Sequence, residues 1–536
     1  MLKFGWMLLL GLCLSTGCPA KTRVVSLTKT RQGQQAPAQK SHLISPYIYG
    51  LGSYFWEDRA KELVWDLKPT LYRWGGNTSS RYNYLTNSWN SGADWYFRNH
   101  SGVANNFIDT FIADNKGHGA ASMITVPMMG WVAKDGSSFS YPREQFPKQD
   151  SFDGDAGNGQ SGAEKLKADP KTTSIPVTPE FVGAWVQKLK SQFGNNPHFY
   201  IMDNEPMLWN TTHRDVHPEP MTYDGYLKLY IEFASAVRKA DSDAVIVGPA
   251  LWGWMAMQAS AFDVEGPWSN GQRNTDKAAH GNKPFFEWFL EQIAKEEQTR
   301  KISLLDVLDV HFYPEKSNWP SGPDNSPAVR KQLLRSTRSL WDRSYTDESW
   351  INEKLYFIPR LKEMAAKFKA SAKVSIGEYN FRSEKDASGA IAQADILGIM
   401  GKEDLYAAQY WDFPIKDGTH RNAFLLYRNF DGKGGSFGDR YLPNSAGNQE
   451  DYSVYTANDT SNNRLTIVIL NKSTTEDQDF DLQIASYGKA KSAKIVGWNT
   501  TKDPAVMEKY EKLVSAPQGI KVSTKPLSMQ IVELIY

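Results

Sequence analysis

The chain is almost free of cysteine. Among its 536 residues only Cys13 and Cys18 carry a thiol, and both lie close to the N-terminus. The rest of the chain therefore contains no disulfide, no thiolate zinc site and no cysteine nucleophile. An excess of one charge is absent too, since 61 basic and 60 acidic residues leave a formal net charge of +1. This balance gives no indication of a nucleic-acid partner.

Long hydrophobic runs are scarce. The apolar stretch at residues 4–12 is too short to span a bilayer, and it follows Lys3, a pattern typical of a secretory signal peptide. We assign residues 1–18 to this signal. It ends in Leu14-Ser15-Thr16-Gly17-Cys18, which resembles a bacterial lipoprotein cleavage box except that Ser15 replaces the usual Leu, Val or Ile. We therefore expect export, with the protein either lipid-anchored through Cys18 or released.

Aromatic residues, in contrast, are abundant, with 18 Trp, 25 Tyr and 25 Phe. Flat aromatic faces can stack on the C–H faces of sugar rings, but large hydrophobic cores use aromatic residues as well. The composition is therefore compatible with a carbohydrate partner and does not establish one.

Strand-like and helix-like segments alternate along most of the chain. The helix signals include Thr178-Pro179-Glu180, where a hydroxyl can cap the first turn and proline occupies the first helical position. Alternation of buried strands with amphipathic helices predicts an α/β fold, a (β/α)₈ TIM-like barrel over residues 44–439. The predicted barrel strands are 47–50, 71–74, 122–126, 199–202, 244–248, 304–310, 374–377 and 407–411.

The alternation of strand-like and helix-like segments ends at about residue 440. Strand-like segments at 465–470, 494–496 and 529–534 follow one another without helices and are separated by turn residues. This pattern predicts an antiparallel β-sandwich over residues 440–536. Residues 19–43 are mostly polar, apart from a strand-like segment at 24–27 that we expect to join the sandwich. The small domain would then be built from both ends of the chain.

Two glutamates stand at the ends of predicted barrel strands. Glu205 follows the fourth strand in Asp203-Asn204-Glu205-Pro206, and Glu378 follows the seventh in Gly377-Glu378-Tyr379. Active sites of such barrels lie at the carboxyl ends of the strands, so both side chains should meet at one rim. Either glutamate alone could be a solvated surface charge. Two carboxylates facing each other across a cleft are what the cleavage of a glycosidic bond requires.

Several longer motifs resemble glycoside hydrolase family 44 from about residue 44 to the C-terminus. They include Arg73-Trp74-Gly75-Gly76-Asn77, Asp94-Trp95-Tyr96-Phe97, Asp203-Asn204-Glu205-Pro206, Asp309-Val310-His311-Phe312-Tyr313-Pro314 and Gly377-Glu378-Tyr379-Asn380. The resemblance implies a barrel-plus-sandwich endo-β-1,4-glucanase that retains configuration and acts on soluble β-glucans, often xyloglucan. It also implies that Glu205 is the acid/base and Glu378 the nucleophile. The lipoprotein box is not something that the family requires.

Three polar residues near the pair have the chemistry to support it. Asn204 can hydrogen-bond the sugar 2-hydroxyl, Tyr313 can hold one oxygen of Glu378, and Arg73 can keep Glu378 ionised. Tyr313 as a core aromatic and Arg73 as a surface ion pair are the alternatives. Other candidate substrate-binding residues are Trp74, Asn77, Trp131, Trp209, Trp341, Trp350, Tyr379 and Trp411.

Metal sites are weakly indicated. His311 is interpreted as a hydrogen-bonded rim residue, because no second histidine stands at ligand spacing. Asp150, Asp153 and Asp155 lie in a glycine-rich loop and are candidate ligands of a structural calcium ion, although the spacing does not match an EF-hand. No cofactor is expected for catalysis, and we expect a monomer. A xylanase, a mannanase, a strict xyloglucanase and a non-catalytic glycan-binding lipoprotein are the alternatives.

Overall fold

The computed structural model describes residues 22–27, 40–53, 58–102, 107–196, 198–265, 275–314, 323–412, 414–515 and 519–536. The predicted signal peptide, with Cys18, lies outside the described residues, as does part of the polar segment 19–43. In the part of the chain that is described, we find no helix with both the length and the apolar character needed to cross a membrane.

Eight parallel strands close into a barrel, which confirms the predicted fold class. Neighbouring strands pair in chain order, and the eighth strand closes onto the first through Gln409 and Gly50. The strands are β1 (Gly50–Ser53), β2 (Leu71–Trp74), β3 (Ala121–Val126), β4 (Phe199–Met202), β5 (Val245–Leu251), β6 (Val307–Val310), β7 (Lys373–Tyr379) and β8 (Ala407–Trp411).

The first barrel strand begins later than the sequence pattern predicts. Pro46–Tyr49 forms a 3₁₀ turn that Ser45 caps with its hydroxyl, so the extended segment is Gly50–Ser53 instead. The cause is local: serine followed by proline is a turn signal that the apolar character of the segment concealed. A Cβ at Gly52 would lie 2.9 Å from the Trp411 ring, so glycine allows this ring to approach β1 closely.

Amphipathic helices cover the outside of the barrel. Helix Pro179–Phe193 begins at the predicted proline and buries Trp185 and Leu189, but the Thr178 hydroxyl makes no capping bond, contrary to expectation. The α-helices of the described residues are Asp58–Val64, Phe107–Gly117, Pro179–Phe193, Trp209–Thr212, Tyr223–Ala240, Trp254–Gln258, Ala261–Glu265, Thr275–Ala279, Phe285–Arg300, Pro327–Ser336, Phe357–Phe368, Ala387–Lys402 and His420–Arg428.

Two β-sheets form the second region. One has the strand order His42–Leu43, Arg440–Leu442, Tyr452–Asp459, Arg464–Asn471, Ser528–Ile535, Ser492–Thr500 and Met507–Val514. The other has the order Arg23–Ser26, Gln478–Gln483 and Gly519–Thr524. Two strands from the N-terminal part of the chain therefore lie in these sheets, one in each.

Four small two-stranded antiparallel sheets lie in the barrel loops. They pair Ser88–Asn90 with Asn99–Ser101, Trp131–Ala133 with Ser174–Pro176, Phe152–Asp153 with Ala156–Gly157, and Gln160–Ser161 with Glu164–Lys165.

The helix Ala387–Lys402 joins the barrel to the larger sheet. All its residues from Ala387 to Gly401 are buried, because one side packs on the barrel and the other on the sheet. Asp395 on this helix accepts hydrogen bonds from Thr337 and from the Tyr455 hydroxyl, and its Oδ2 lies 3.5 Å from Lys472 Nζ. Both partners of this ion pair are buried. The interface thus contains charges that are stable only while the sheet and the barrel stay together.

Candidate active site

Glu205 and Glu378 meet at the carboxyl ends of the barrel strands. Glu205 follows β4, and Glu378 is the penultimate residue of β7. An oxygen of one carboxyl group lies within 4.8 Å of an oxygen of the other. Glu378 is 5% exposed to solvent, whereas the Glu205 side chain is 16% exposed. The two carboxyl groups are thus close enough to act on the same bond.

The backbone that presents Glu205 is held in an unusual conformation. Asp203 and Glu205 both have positive φ angles, at 65° and 44°, in a region that residues other than glycine rarely adopt. The buried Asp203 carboxyl group accepts hydrogen bonds from the Met128 N–H at 2.5 Å and from the Asn204 N–H at 2.8 Å. Burial raises the pKa of Asp203 to about 7. These contacts stabilise the turn between β4 and the glutamate.

Arg73, Tyr313 and Asn204, the three predicted support residues, all lie at this site. Arg73 Nη1 donates to Glu378 Oε1 at 2.5 Å, and the Tyr313 hydroxyl donates to Glu378 Oε2 at 2.8 Å. Arg73 Nη2 donates to Asn204 Oδ1 at 2.7 Å. One arginine therefore fixes the orientation of the Asn204 amide and of the Glu378 carboxylate together.

His311 is hydrogen-bonded at the carboxyl end of β6, as expected, and it is fully buried. Its Nδ1 lies 2.7 Å from Glu205 Oε1 and 3.5 Å from Glu378 Oε2. Burial lowers the pKa of His311, but the negative charges of Glu378 and Glu205 outweigh burial and raise it above the ordinary value. The two carboxyl groups thus favour the protonated form of His311.

The surroundings displace the pKa values of the two glutamates in opposite directions. Burial raises the pKa of Glu205, and the hydrogen bond and charge of His311 offset this effect only in part. Burial acts on Glu378 in the same direction, but the charges of His311 and Arg73, with hydrogen bonds from Arg73 and Tyr313, outweigh it and lower the pKa. Such divergence favours the protonated form of Glu205 and the ionised form of Glu378.

A cleft of about 510 Å³ lies beside Asn204 and Arg73. Two predicted residues, Asn77 and Trp411, line it: the Asn204 amide donates to Asn77 Oδ1 at 3.5 Å, and the Arg73 guanidinium lies 5.5 Å from the Trp411 ring centre. The other aromatic residues of the lining, Trp89, Trp95 and His100, were not predicted from the sequence, although Trp95 lies in one of the recognised motifs. The complete lining is Gly76, Asn77, Thr78, Trp89, Ser91, Asp94, Trp95, His100 and Trp411.

Trp74, Trp209 and Tyr379 were predicted to bind substrate, and their burial contradicts this, since each is at most 2% exposed. Trp74 and Tyr379 directly follow Arg73 and Glu378 on their strands. Because side chains alternate along a strand, a residue next to one that points into the barrel mouth points outward, towards the helices. The Trp209 indole N–H donates to the Asn204 carbonyl oxygen at 3.1 Å, so this ring supports the site from behind.

Trp131, Trp341 and Trp350 do not line this cleft. Trp131 is partly buried against the main hydrophobic core. Trp341 lies beneath the Lys402 ammonium group, which is 3.8 Å from the ring centre, in a pocket between the barrel and the larger sheet. Trp350 is 37% exposed in the loop that precedes helix Phe357–Phe368. The sequence placed these rings after strands but did not reveal which way the loops run.

Two of the aspartates proposed as calcium ligands, Asp150 and Asp153, bind other groups of the protein instead of converging on one point. Asp153 accepts a hydrogen bond from the Trp95 indole at 3.0 Å and pairs with Arg98 at 3.1 Å, and Asp150 accepts one from the Gly162 N–H at 2.8 Å. Within the described residues, the cluster of three or more His, Asp or Glu side chains with atoms within 4.8 Å is that of the two glutamates and His311. Calcium binding at Asp150, Asp153 and Asp155 stays a prediction.

Comparison with known proteins adds the family context. A model of glycoside hydrolase family 44 matches residues 88–316. Endoglucanase A of Paenibacillus lautus is 29% identical over 485 residues, which is 85% of this chain, and the chain spans 66% of that protein's length. The solved structure of CelM2, a bifunctional glucanase-xylanase from a metagenome library, is 31% identical with a TM-score of 0.85, covering 96% of this chain and 99% of that one. A Paenibacillus polymyxa xyloglucanase of family 44, solved with xyloglucan, is 26% identical with a TM-score of 0.77, at 96% and 100% coverage.

Proposed function

Because the chain belongs to glycoside hydrolase family 44, we propose that it is an endo-β-1,4-glucanase that cleaves soluble β-glucans with retention of configuration. The observation that carries this proposal is the Glu205–Glu378 pair, with its short separation and opposite pKa displacements. Retaining glycosidases hold their two carboxyl groups about 5–5.5 Å apart, whereas inverting enzymes need about 6.5–9.5 Å to admit a water molecule. The separation within 4.8 Å between nearest oxygens favours retention.

The opposite pKa displacements of the two glutamates support a different role for each. Glu205 donates its proton to the glycosidic oxygen while the Glu378 carboxylate attacks the anomeric carbon, which gives a glycosyl ester and releases the leaving sugar. Glu205, now a carboxylate, takes a proton from water, and the hydroxide displaces Glu378. Arg73 and Tyr313 keep Glu378 ionised. We assign to the Asn204 amide a hydrogen bond with the 2-hydroxyl of the sugar.

The anomeric form of the first product tests the mechanism. Two inversions at one carbon give the β-anomer, so proton NMR of freshly cleaved cello-oligosaccharide should show this anomer before mutarotation. Early appearance of the α-anomer would refute double displacement. In azide, Glu205→Ala should yield a β-glycosyl azide because its nucleophile is intact, whereas Glu378→Ala should not. The reverse pattern would exchange the two roles.

Parallel product analysis on carboxymethyl cellulose, xyloglucan, xylan and mannan identifies the preferred polysaccharide. We expect cleavage of the first two. Xylan is the second candidate, since CelM2, named a glucanase-xylanase, is 31% identical over nearly the whole chain. Mannan cleavage would favour the mannanase alternative. Glycan binding without any cleavage by the purified wild type would favour the non-catalytic alternative and refute the proposal.

Export and anchoring are a separate proposal that rests on the N-terminal sequence. We propose that the chain is exported as a monomer and that Cys18 carries a lipid. Radiolabelled palmitate should label the wild type in a bacterial host and should not label Cys18→Ala. Absence of label in the exported wild type would indicate release by ordinary signal cleavage. Light scattering in solution tests the monomer.

A further inference from the structure

A buried aspartate lies behind the histidine that contacts both glutamates. Asp309 is in β6, and its Oδ2 lies 3.9 Å from Nε2 of His311. Neither atom has a hydrogen-bond partner among the described residues, and both side chains are fully buried. The other nitrogen of His311 faces Glu205 and Glu378. Glu205, His311 and Asp309 therefore form a line from the cleft into the barrel.

The position of Asp309 is fixed by its neighbours on β7. The Ser375 hydroxyl donates to Asp309 Oδ1. A Cβ at Gly377 would lie 2.2 Å from Asp309 Oδ2, so the carboxyl group occupies a space that only glycine at this position leaves free. The strand that carries Glu378 is thus shaped to accommodate this second buried acid.

The buried charges balance only when the histidine is protonated. With Glu378 and Asp309 ionised and Glu205 neutral as the acid, two negative charges face the positive charges of Arg73 and His311; burial raises the pKa of Asp309, while the charges of His311 and Arg73 and the hydrogen bond from Ser375 favour its ionised form. These groups, with the Tyr313 hydroxyl, are those that face His311 from β2, β4, β6, β7 and the loop after β6. A neutral sum is favoured because unpaired charges are costly in a buried site.

The proposed reaction moves a negative charge from one glutamate to the other. When Glu378 forms the glycosyl ester it loses its charge, and in the same step Glu205 gives up its proton and becomes negative. The Nδ1 atom of His311 lies 2.7 Å from one carboxyl group and 3.5 Å from the other, so it can serve either with little movement. The histidine does not need to lose or gain a proton.

Resting on the proposed function, we propose that His311 is a positioning residue that stays protonated in both steps, and that Asp309 holds it in that state. Its Nδ1–H stays between the two carboxyl groups, nearer to Glu205, and its Nε2–H faces Asp309. Catalysis then keeps the total charge of the buried group constant while the sugar is transferred to Glu378 and released.

The pH dependence of kcat/KM on the glucan that the wild type cleaves best tests this proposal. His311→Asn keeps an amide donor near Glu205 but removes the positive charge, so both limbs of the profile should move to higher pH by about one unit. Asp309→Asn removes the charge that keeps the proton on His311, so His311 should lose its positive charge and both limbs should again move to higher pH, by less than in His311→Asn. Asp395→Asn, a buried aspartate at the interface with the larger sheet, is the matched control and should leave the limbs in place.

Shifts to higher pH in both variants support the proposal, because a purely structural role would lower activity without moving the limbs. Unmoved limbs, or a shift to lower pH in Asp309→Asn, would overturn it. If Asp309→Asn does not fold, Ser375→Ala takes its place, since loss of this donor favours protonation of Asp309 and should likewise move the limbs to higher pH. If His311→Asn does not fold, His311→Gln takes its place. A wild type that cleaves no glucan would overturn the proposed function itself, a result that cannot be confused with unmoved limbs.

Discussion

Replacement of Tyr313 by phenylalanine should raise the pKa of Glu378. The phenol donates to Glu378 Oε2 at 2.8 Å, and the glutamate is 5% exposed, so solvent screens this contact little. A hydrogen bond to a charged group contributes about 1.5–3 kcal/mol. Since about 1.36 kcal/mol corresponds to one pKa unit, the expected rise is about one to two units, less where water replaces the hydroxyl.

The sign of the effect on activity follows from the role of Glu378. It acts as a carboxylate, so activity is lost as pH falls through its pKa, and the acid limb of kcat/KM should move to higher pH in Tyr313→Phe. Stability should follow the same sign. The pKa of Glu378 is lowered on folding, so its contribution is present above the unfolded pKa and is lost as pH falls through the folded one. In the variant this contribution is smaller, and its loss is complete at a higher pH.

A matched control separates this effect from the loss of any buried phenol. Tyr82 is also buried, and its hydroxyl donates to Asn87 at 3.1 Å, away from the two glutamates. Tyr82→Phe should therefore leave the acid limb unchanged. An unchanged acid limb in well-folded Tyr313→Phe would show that Arg73 alone keeps Glu378 ionised and would refute this reasoning.

Three further outcomes are expected. Glu378→Gln should lower kcat by about a thousandfold or more at unchanged circular dichroism, and near-normal turnover would exclude it as nucleophile. Asp395→Ala leaves Lys472 buried without its partner, so urea titration should show a free energy of unfolding lower by about 3–5 kcal/mol; an unchanged value would mean that the interface pair is not needed. A chelator should lower Tm through the loop of Asp150, Asp153 and Asp155 without changing kcat, and an unchanged Tm would contradict the calcium prediction.

Most of the architecture could be predicted from the sequence because it depends on periodic patterns. Buried strands such as β4 and β7 are short apolar runs, and each is followed by loop residues, so both glutamates could be placed at the same rim. Arg73 and Tyr313 could be named from charge and hydrogen-bonding chemistry alone. These inferences needed the order of the strands and not their exact positions.

Side-chain direction and loop path could not be predicted in the same way. Trp74 follows Arg73 and Tyr379 follows Glu378 in the chain. Yet Arg73 and Glu378 point into the active site, whereas Trp74 and Tyr379 are buried towards the helices. The alternation is a simple rule, but its phase depends on which residue points into the barrel. Trp95 is brought to the cleft by a loop whose position depends on a contact with the distant Asp153. Such contacts leave no periodic signal in the sequence.

The origin of the smaller sheet has a consequence for how the chain acquires its structure. Its first strand, Arg23–Ser26, pairs with Gln478–Gln483, and the hydrogen bond between Ser26 and Gln483 spans 457 positions. Loop closure over such a distance is slow, and a growing chain releases its N-terminal part first. The early strand therefore remains without its partner until Gln478–Gln483 has been made. Completion of this sheet comes later still, because its third strand, Gly519–Thr524, follows farther along the chain.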